Sequence, residues 1–134
     1  SRDAELISRL RSGQALQLVG GGHFLQQPIL ARDLAALILN AGNDSSTYGQ
    51  IFCAAGPDII ESRDYYRIIA DILAVDFRIE EVLVGQHLAA HPEAAPFLCH
   101  RVYDLSKLQS SGVEIPGTSI EQGLREHVES LLPT

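Results

Sequence analysis

The chain has 134 residues, 46% hydrophobic and 20% charged, with a formal net charge of −7, which gives one domain's worth of ordinary globular composition. No basic stripe is present to suit nucleic acid or an anionic membrane surface, and no apolar run approaches the ~20 residues of a membrane span. No stretch has the form of a signal peptide, and the acidic balance fits a cytoplasmic protein.

Residues 3–12 place Leu6, Ile7 and Leu10 on one helical face, and Gly13 is the expected stop. Leu16 and Leu18 then alternate with polar neighbours, as in a strand that the glycines at 20–22 break. Pro28 disfavours helix at Gln27, so residues 24–30 are expected to be extended. A helix is predicted over 31–42, with Leu34, Leu37, Ile38 and Ala41 on its inner face and Asp33 accepting the free N–H groups of its first turn. After a polar loop, residues 50–55 (QIFCAA) are nearly all apolar and predict a short strand buried on both faces, with Cys53 as a small buried hydrophobe. Ser62 is the expected N-cap of a helix whose inner face is Tyr66, Ile69, Ala70 and Leu73. Residues 77–84 predict a further strand, 87–98 an irregular stretch or short helix interrupted by Pro92 and Pro96, and 104–111 a short helix ended by Gly112. Thr118 and Glu121 form a T-x-x-E capping box for a last helix with Ile120, Leu124, Val128 and Leu131 inward. The whole reads as a single domain over 1–134 of mixed α/β class.

Three motifs invite a chemical reading. Two cysteines, Cys53 and Cys99, without C-x-x-C spacing make neither a zinc site nor a disulfide framework. Gly20, Gly21 and Gly22 do not complete G-x-G-x-x-G: Leu25 stands where the last glycine belongs and no helix follows, so the run is a turn and not a phosphate cradle. Tyr103 and Lys107 have the Y-x-x-x-K spacing, in which a lysine one helical turn from a phenol favours the tyrosinate. Here the following helix is barely two turns long, a poor platform for a catalytic pair, and the spacing is read as chance, with Lys107 solvated and Tyr103 partly buried.

Three longer stretches together resemble the C-terminal half of the extended short-chain dehydrogenases, the NAD-dependent epimerase/dehydratase family. FLQQPILARDLAALILNA places Asp33 and Ala35 as in that family's extended segment and small-residue helix. GQIFCAAGPDIIESRDYYRIIADILA is similar to its strand, turn and helix, with Cys53 where an asparagine is usual. DLSKLQSSGVEIPGTSIEQGLREHVESLL matches in order and spacing at Asp104, Lys107, Gly112, Pro116, Glu121 and Gly123.

The resemblance implies the C-terminal part of a Rossmann-type fold lacking the N-terminal dinucleotide-binding half. A chain with no methionine that begins Ser1-Arg2-Asp3 is expected to be such a piece. It implies the substrate-binding portion of an NAD(P)-dependent sugar or nucleotide-sugar epimerase, dehydratase or related reductase, inactive alone. NAD or NADP would belong to the parent protein, with none bound to this chain. The alternative is a non-catalytic regulatory or protein-association module of the same fold. By the same resemblance Arg101, three residues before Asp104, stands where an arginine holds the substrate diphosphate, a role its planar fork suits. The family's other arginine position is filled by Gln26 and Gln27, which suit a sugar or another neutral polar ligand. His23, beside the glycine turn, is either a pocket residue or an ordinary turn residue, and His100 either assists an anion or is structural. The family places the strand matching QIFCAA near the main sheet, so its edge is expected to be exposed here, and self-association is expected through this strand or a neighbouring helix.

Overall fold

The computed structural model describes residues 2–132. They form helices α1 (Arg2–Arg11), α2 (Ala31–Gly42), α3 (Ser62–Leu73), α4 (Val84–Ala90), α5 (Ser106–Ser110) and α6 (Ile120–Leu131). The strands are β1 (Leu16–Val19), β2 (Leu25–Gln26), β3 (Ile60–Glu61) and β4 (Ile79–Val82). The mixed α/β class is therefore observed. The chain divides into two compact units, one made of residues up to Gln26, Ile60–Arg101 and from Leu124 onward, the other of Gln27–Ile59 and Val102–Gly123.

In the first unit, β1 pairs in parallel with β4, Leu16 opposite Ile79 and Val19 opposite Val82. β2 pairs antiparallel with β3, and the Ser62 N–H continues that ladder to the Phe24 carbonyl at 2.9 Å. Alternation along β1 sends Leu16 and Leu18 inward and leaves Gln17 exposed. The core draws on Ile7 and Leu10 of α1, Ile69 and Ala70 of α3, and Leu124 and Val128 of α6, all buried. His127 Nε2 meets Asp3 Oδ2 at 2.8 Å and ties α6 to α1.

In the second unit, Leu37, Leu108 and Val113 form the buried cluster, with Phe52 and Ala54 packed against it. A backbone clamp holds it together. Gly56 N–H donates to the Pro28 carbonyl at 3.1 Å, the Gln27 amide donates to the Gly56 carbonyl at 3.0 Å, and the Gln27 oxygen accepts Tyr103 N–H at 3.0 Å. Gly56 lies so close to residue 28 that a Cβ there would stand 2.1 Å from the Pro28 oxygen.

Several expectations are corrected. Residues 50–55 are not a strand: among the described residues, no backbone group of Ile51–Ala55 enters a backbone hydrogen bond. Phe52 and Ala54 pack inward while Ile51 is 85% exposed and Cys53 is exposed too, so the segment is not buried on both faces. Ile38 faces outward, 63% exposed, because the inner stripe of α2 narrows to Leu37 with Leu34 and Ala41 half-buried.

The expected helix starts differ for a common reason, the capture of a local capping group by a distant partner. Asp33 does not cap α2; it accepts the Thr118 N–H at 3.0 Å and the Thr118 hydroxyl at 2.9 Å. Thr118, thus engaged, does not open a capping box; Ser119 Oγ accepts the Gln122 N–H at 3.3 Å, and Asp58 takes the Ile120 N–H at 2.8 Å. Ser62 is the first residue of α3 and not its cap, with its hydroxyl donated to the Phe24 carbonyl at 3.1 Å. The strand expected over 77–84 is shorter, since Val84 already belongs to α4.

Candidate substrate cleft

A cleft of about 560 Å³ lies within the first unit, in the size range of small-molecule sites. Its walls come from β1, β2, the start of α3 and the loop before Arg101. The glycine turn shapes one end. Gly20, Gly21 and Gly22 have φ of +60, +64 and +75°, a left-handed run that only glycine adopts without strain. At Gly22 a Cβ would also stand 2.8 Å from Leu18 Cδ1 and 2.9 Å from Arg63 Cβ, so the chain reverses here only without a side chain. The turn leads into β2 and not into a helix. It thus lacks the N-terminal helical N–H groups that hold a dinucleotide pyrophosphate in a G-x-G-x-x-G turn.

Arg101 and Gln26 both line the cleft. Arg101 N–H donates to the Leu25 carbonyl at 2.9 Å, and Leu25 N–H donates to His100 Nδ1 at 2.9 Å, so residues 100 and 101 are laid along β2. The Arg101 guanidinium rests 5.7 Å from the centre of the Phe97 ring and donates one N–H to the Phe97 carbonyl at 3.1 Å. That leaves most of its five donors open. His100 Nδ1 accepts a backbone N–H, and its ring lies 5.9 Å from that of Phe24. Its neighbour Cys99 turns its thiol to the Pro96 carbonyl at 3.6 Å, so the two do not converge as metal ligands.

Gln27 and His23 are placed differently. Gln27 spends both ends of its amide on the backbone clamp of the second unit. His23 lies beside the cleft, with Nδ1 2.9 Å from Glu61 Oε2 and Nε2 3.0 Å from Arg63 Nη1. Because arginine only donates, Nε2 is the acceptor and the ring proton sits on Nδ1, facing the carboxylate.

Gln17, Phe24, Ser62 and Tyr66 also line the cleft, a place the sequence pattern does not assign to any of them. Gln17 carries a readable signal, as the outward residue between two inward leucines. Tyr66 reads as a core residue by helical spacing, but it is half-buried and its ring meets Tyr65 edge-on at 5.7 Å.

Tyr103 is 45% exposed. It precedes α5, so it does not share a helical turn with Lys107, whose ammonium lies 5.1 Å from the centre of the Phe52 ring. The pair is not built as a catalytic Y-x-x-x-K.

The fold is similar to part of several solved sugar-nucleotide epimerases and dehydratases. The UDP-N-acetylglucosamine 4-epimerase of Methanobrevibacter ruminantium, solved with UDP-N-acetylmuramic acid, superposes with a TM-score of 0.72 at 19% identity, over 92% of this chain and 36% of its own. The dTDP-glucose 4,6-dehydratase of Bacillus anthracis, solved with NAD, gives 0.71 at 19% identity, over 93% of this chain and 37% of its own. The UDP-glucose 4-epimerase of Thermotoga maritima, solved with UDP-glucose, gives 0.70 at 17% identity, over 96% and 38%. The likeness is one of fold, and the chain spans little more than a third of each of these structures. No family model matches the sequence, and no curated protein matches it. Among the described residues no helix is long and apolar enough to cross a membrane.

Proposed function

We propose that this chain is the substrate-binding portion of an NAD(P)-dependent sugar or nucleotide-sugar epimerase, dehydratase or related reductase, with no catalytic activity by itself. The supporting observation is the convergence of Arg101 and Gln26 on one cleft, with Arg101 fixed through its backbone to β2. A guanidinium supplies a directed anion contact, and amides and hydroxyls supply the neutral hydrogen bonds that a sugar needs. The cofactor and the proton-transferring groups would come from the rest of a parent protein. His23 and Gln27 act in this reading as supports, His23 behind the turn and Gln27 in the clamp. Calorimetric titration of the chain with UDP-glucose, NAD(H) and NADP(H) tests it. Heat from the sugar nucleotide and none from the dinucleotides is the expected result; micromolar dinucleotide binding would overturn the assignment of the glycine run.

The second reading, a non-catalytic association module of the same fold, is favoured by the unpaired Ile51–Ala55 segment and its outward Ile51. An unpaired apolar stretch without a charged residue invites pairing, so self-association through it accompanies either reading. Light scattering at high concentration tests this, and a strict monomer would count against it.

A further inference from the structure

Resting on that reading of the cleft, we propose that it takes a hydroxylated ring carrying a single anionic charge, a sugar acid by class, and does not discriminate in favour of a dianionic sugar diphosphate. The argument is the charge and hydrogen-bond inventory of the walls. Among the described residues lining the cleft, Arg101 is the one charged side chain. Gln26, which shares the cleft with Arg101, is a neutral amide, and the nearby Arg63, outside its lining, is turned to His23 at 3.0 Å. One guanidinium makes one bidentate pair with one anionic group. A second negative charge would enter the cleft uncompensated, on a chain whose formal charge is already −7, and an unpaired charge in a partly desolvated site is penalised.

The remaining polar walls are neutral and available. The side chains of Gln17, Gln26 and Tyr66 have no hydrogen-bond partner among the described residues, so each is free to donate to and accept from ligand hydroxyls. Ser62 has donated its proton to the Phe24 carbonyl, which leaves its oxygen as an acceptor. Phe24 and Phe97 offer the apolar surface against which a ring's C–H face packs. Together these groups meet one anion and several hydroxyls.

The test is a titration of the 134-residue chain with three probes, glucose, glucuronate and UDP-glucose, followed by amide NMR shifts. Glucuronate is expected to bind about tenfold more tightly than glucose, the value of one good charged pair. UDP-glucose is expected within about threefold of glucuronate, because its second charge finds no partner. In Arg101→Ala, the preference for glucuronate over glucose should disappear. The exposed Arg101 side chain bonds only the Phe97 carbonyl, and the backbone bond to Leu25 does not depend on it. Should that variant misfold, raising the salt concentration on the unaltered chain gives the same readout: glucuronate affinity falls and glucose affinity does not. UDP-glucose binding tenfold or more above glucuronate, with loss in Arg101→Ala, would overturn this inference and leave the proposed function standing. No binding by any of the three would remove both.

Discussion

Replacing Gly56 with alanine tests the close approach of two chain segments in the second unit. An added Cβ would lie 2.1 Å from the Pro28 oxygen and 3.3 Å from the Pro28 carbonyl carbon, both backbone atoms that no rotamer change can move aside. The segments must separate by about 1 Å to reach ordinary contact, because real packing tolerates little overlap. That movement breaks the Gly56 N–H to Pro28 bond and the Gln27 bond to the Gly56 carbonyl. Two partly buried hydrogen bonds at roughly 0.5–1.5 kcal/mol each, plus overpacking strain of roughly 1–3 kcal/mol, place the loss at about 2–6 kcal/mol. Gly85, inside α4 with nothing within 4 Å of an added Cβ, is the control; alanine there should stabilise by roughly 0.5–1 kcal/mol through helix propensity. Urea denaturation followed by far-ultraviolet circular dichroism reads both. A Gly56→Ala protein within about 0.5 kcal/mol of the parent, on the scale of a neutral surface change, would show that segments 28 and 56 are not packed as described.

Other outcomes follow from the same structure. Ile69 is fully buried in α3, so Ile69→Ala should cost roughly 2–5 kcal/mol in the same denaturation assay. The bonds from the Thr118 hydroxyl and N–H hold the Asp33 carboxyl below its ordinary 3.8, against an opposing effect of burial. A carboxyl lowered in the folded state contributes stability above its unfolded value, and loses it as pH falls from there through the folded value. Asp33→Asn should therefore flatten the acid limb of a stability–pH curve below about pH 4, while an unchanged limb would rule out Asp33 as its source. Ile51→Lys, placing a charge on the outward face of the unpaired segment, should lower the apparent mass in light scattering if self-association runs through it.

Helices α1, α2, α3, α5 and α6 and the strands β1 and β4 are readable in the sequence because their signals are local. Leu6, Ile7 and Leu10 recur at helical spacing, and Leu16 and Leu18 at strand spacing, wherever the rest of the chain lies. What misled was anything decided at long range. Asp33 and Ser62 have the right chemistry for capping, but Thr118, 85 residues on, and the Phe24 carbonyl, 38 residues back, hold them instead. QIFCAA has the composition of a buried strand, and no composition announces that a strand lacks a neighbour. In the cleft, Arg101 and Gln26 were legible through the family resemblance. Phe24 and Tyr66 were not, because an aromatic side chain at core spacing does not show from sequence whether its far side meets protein or an opening.

The most direct measurement is amide-shift mapping of the chain during titration with a sugar nucleotide and, separately, with NAD. The account predicts shifts at Gln17, Leu25, Gln26 and Arg101 with UDP-glucose, and none at Gly20–Gly22 with NAD. Saturable NAD shifts centred on the glycine turn, with the Arg101 amide silent to the sugar nucleotide, would contradict it.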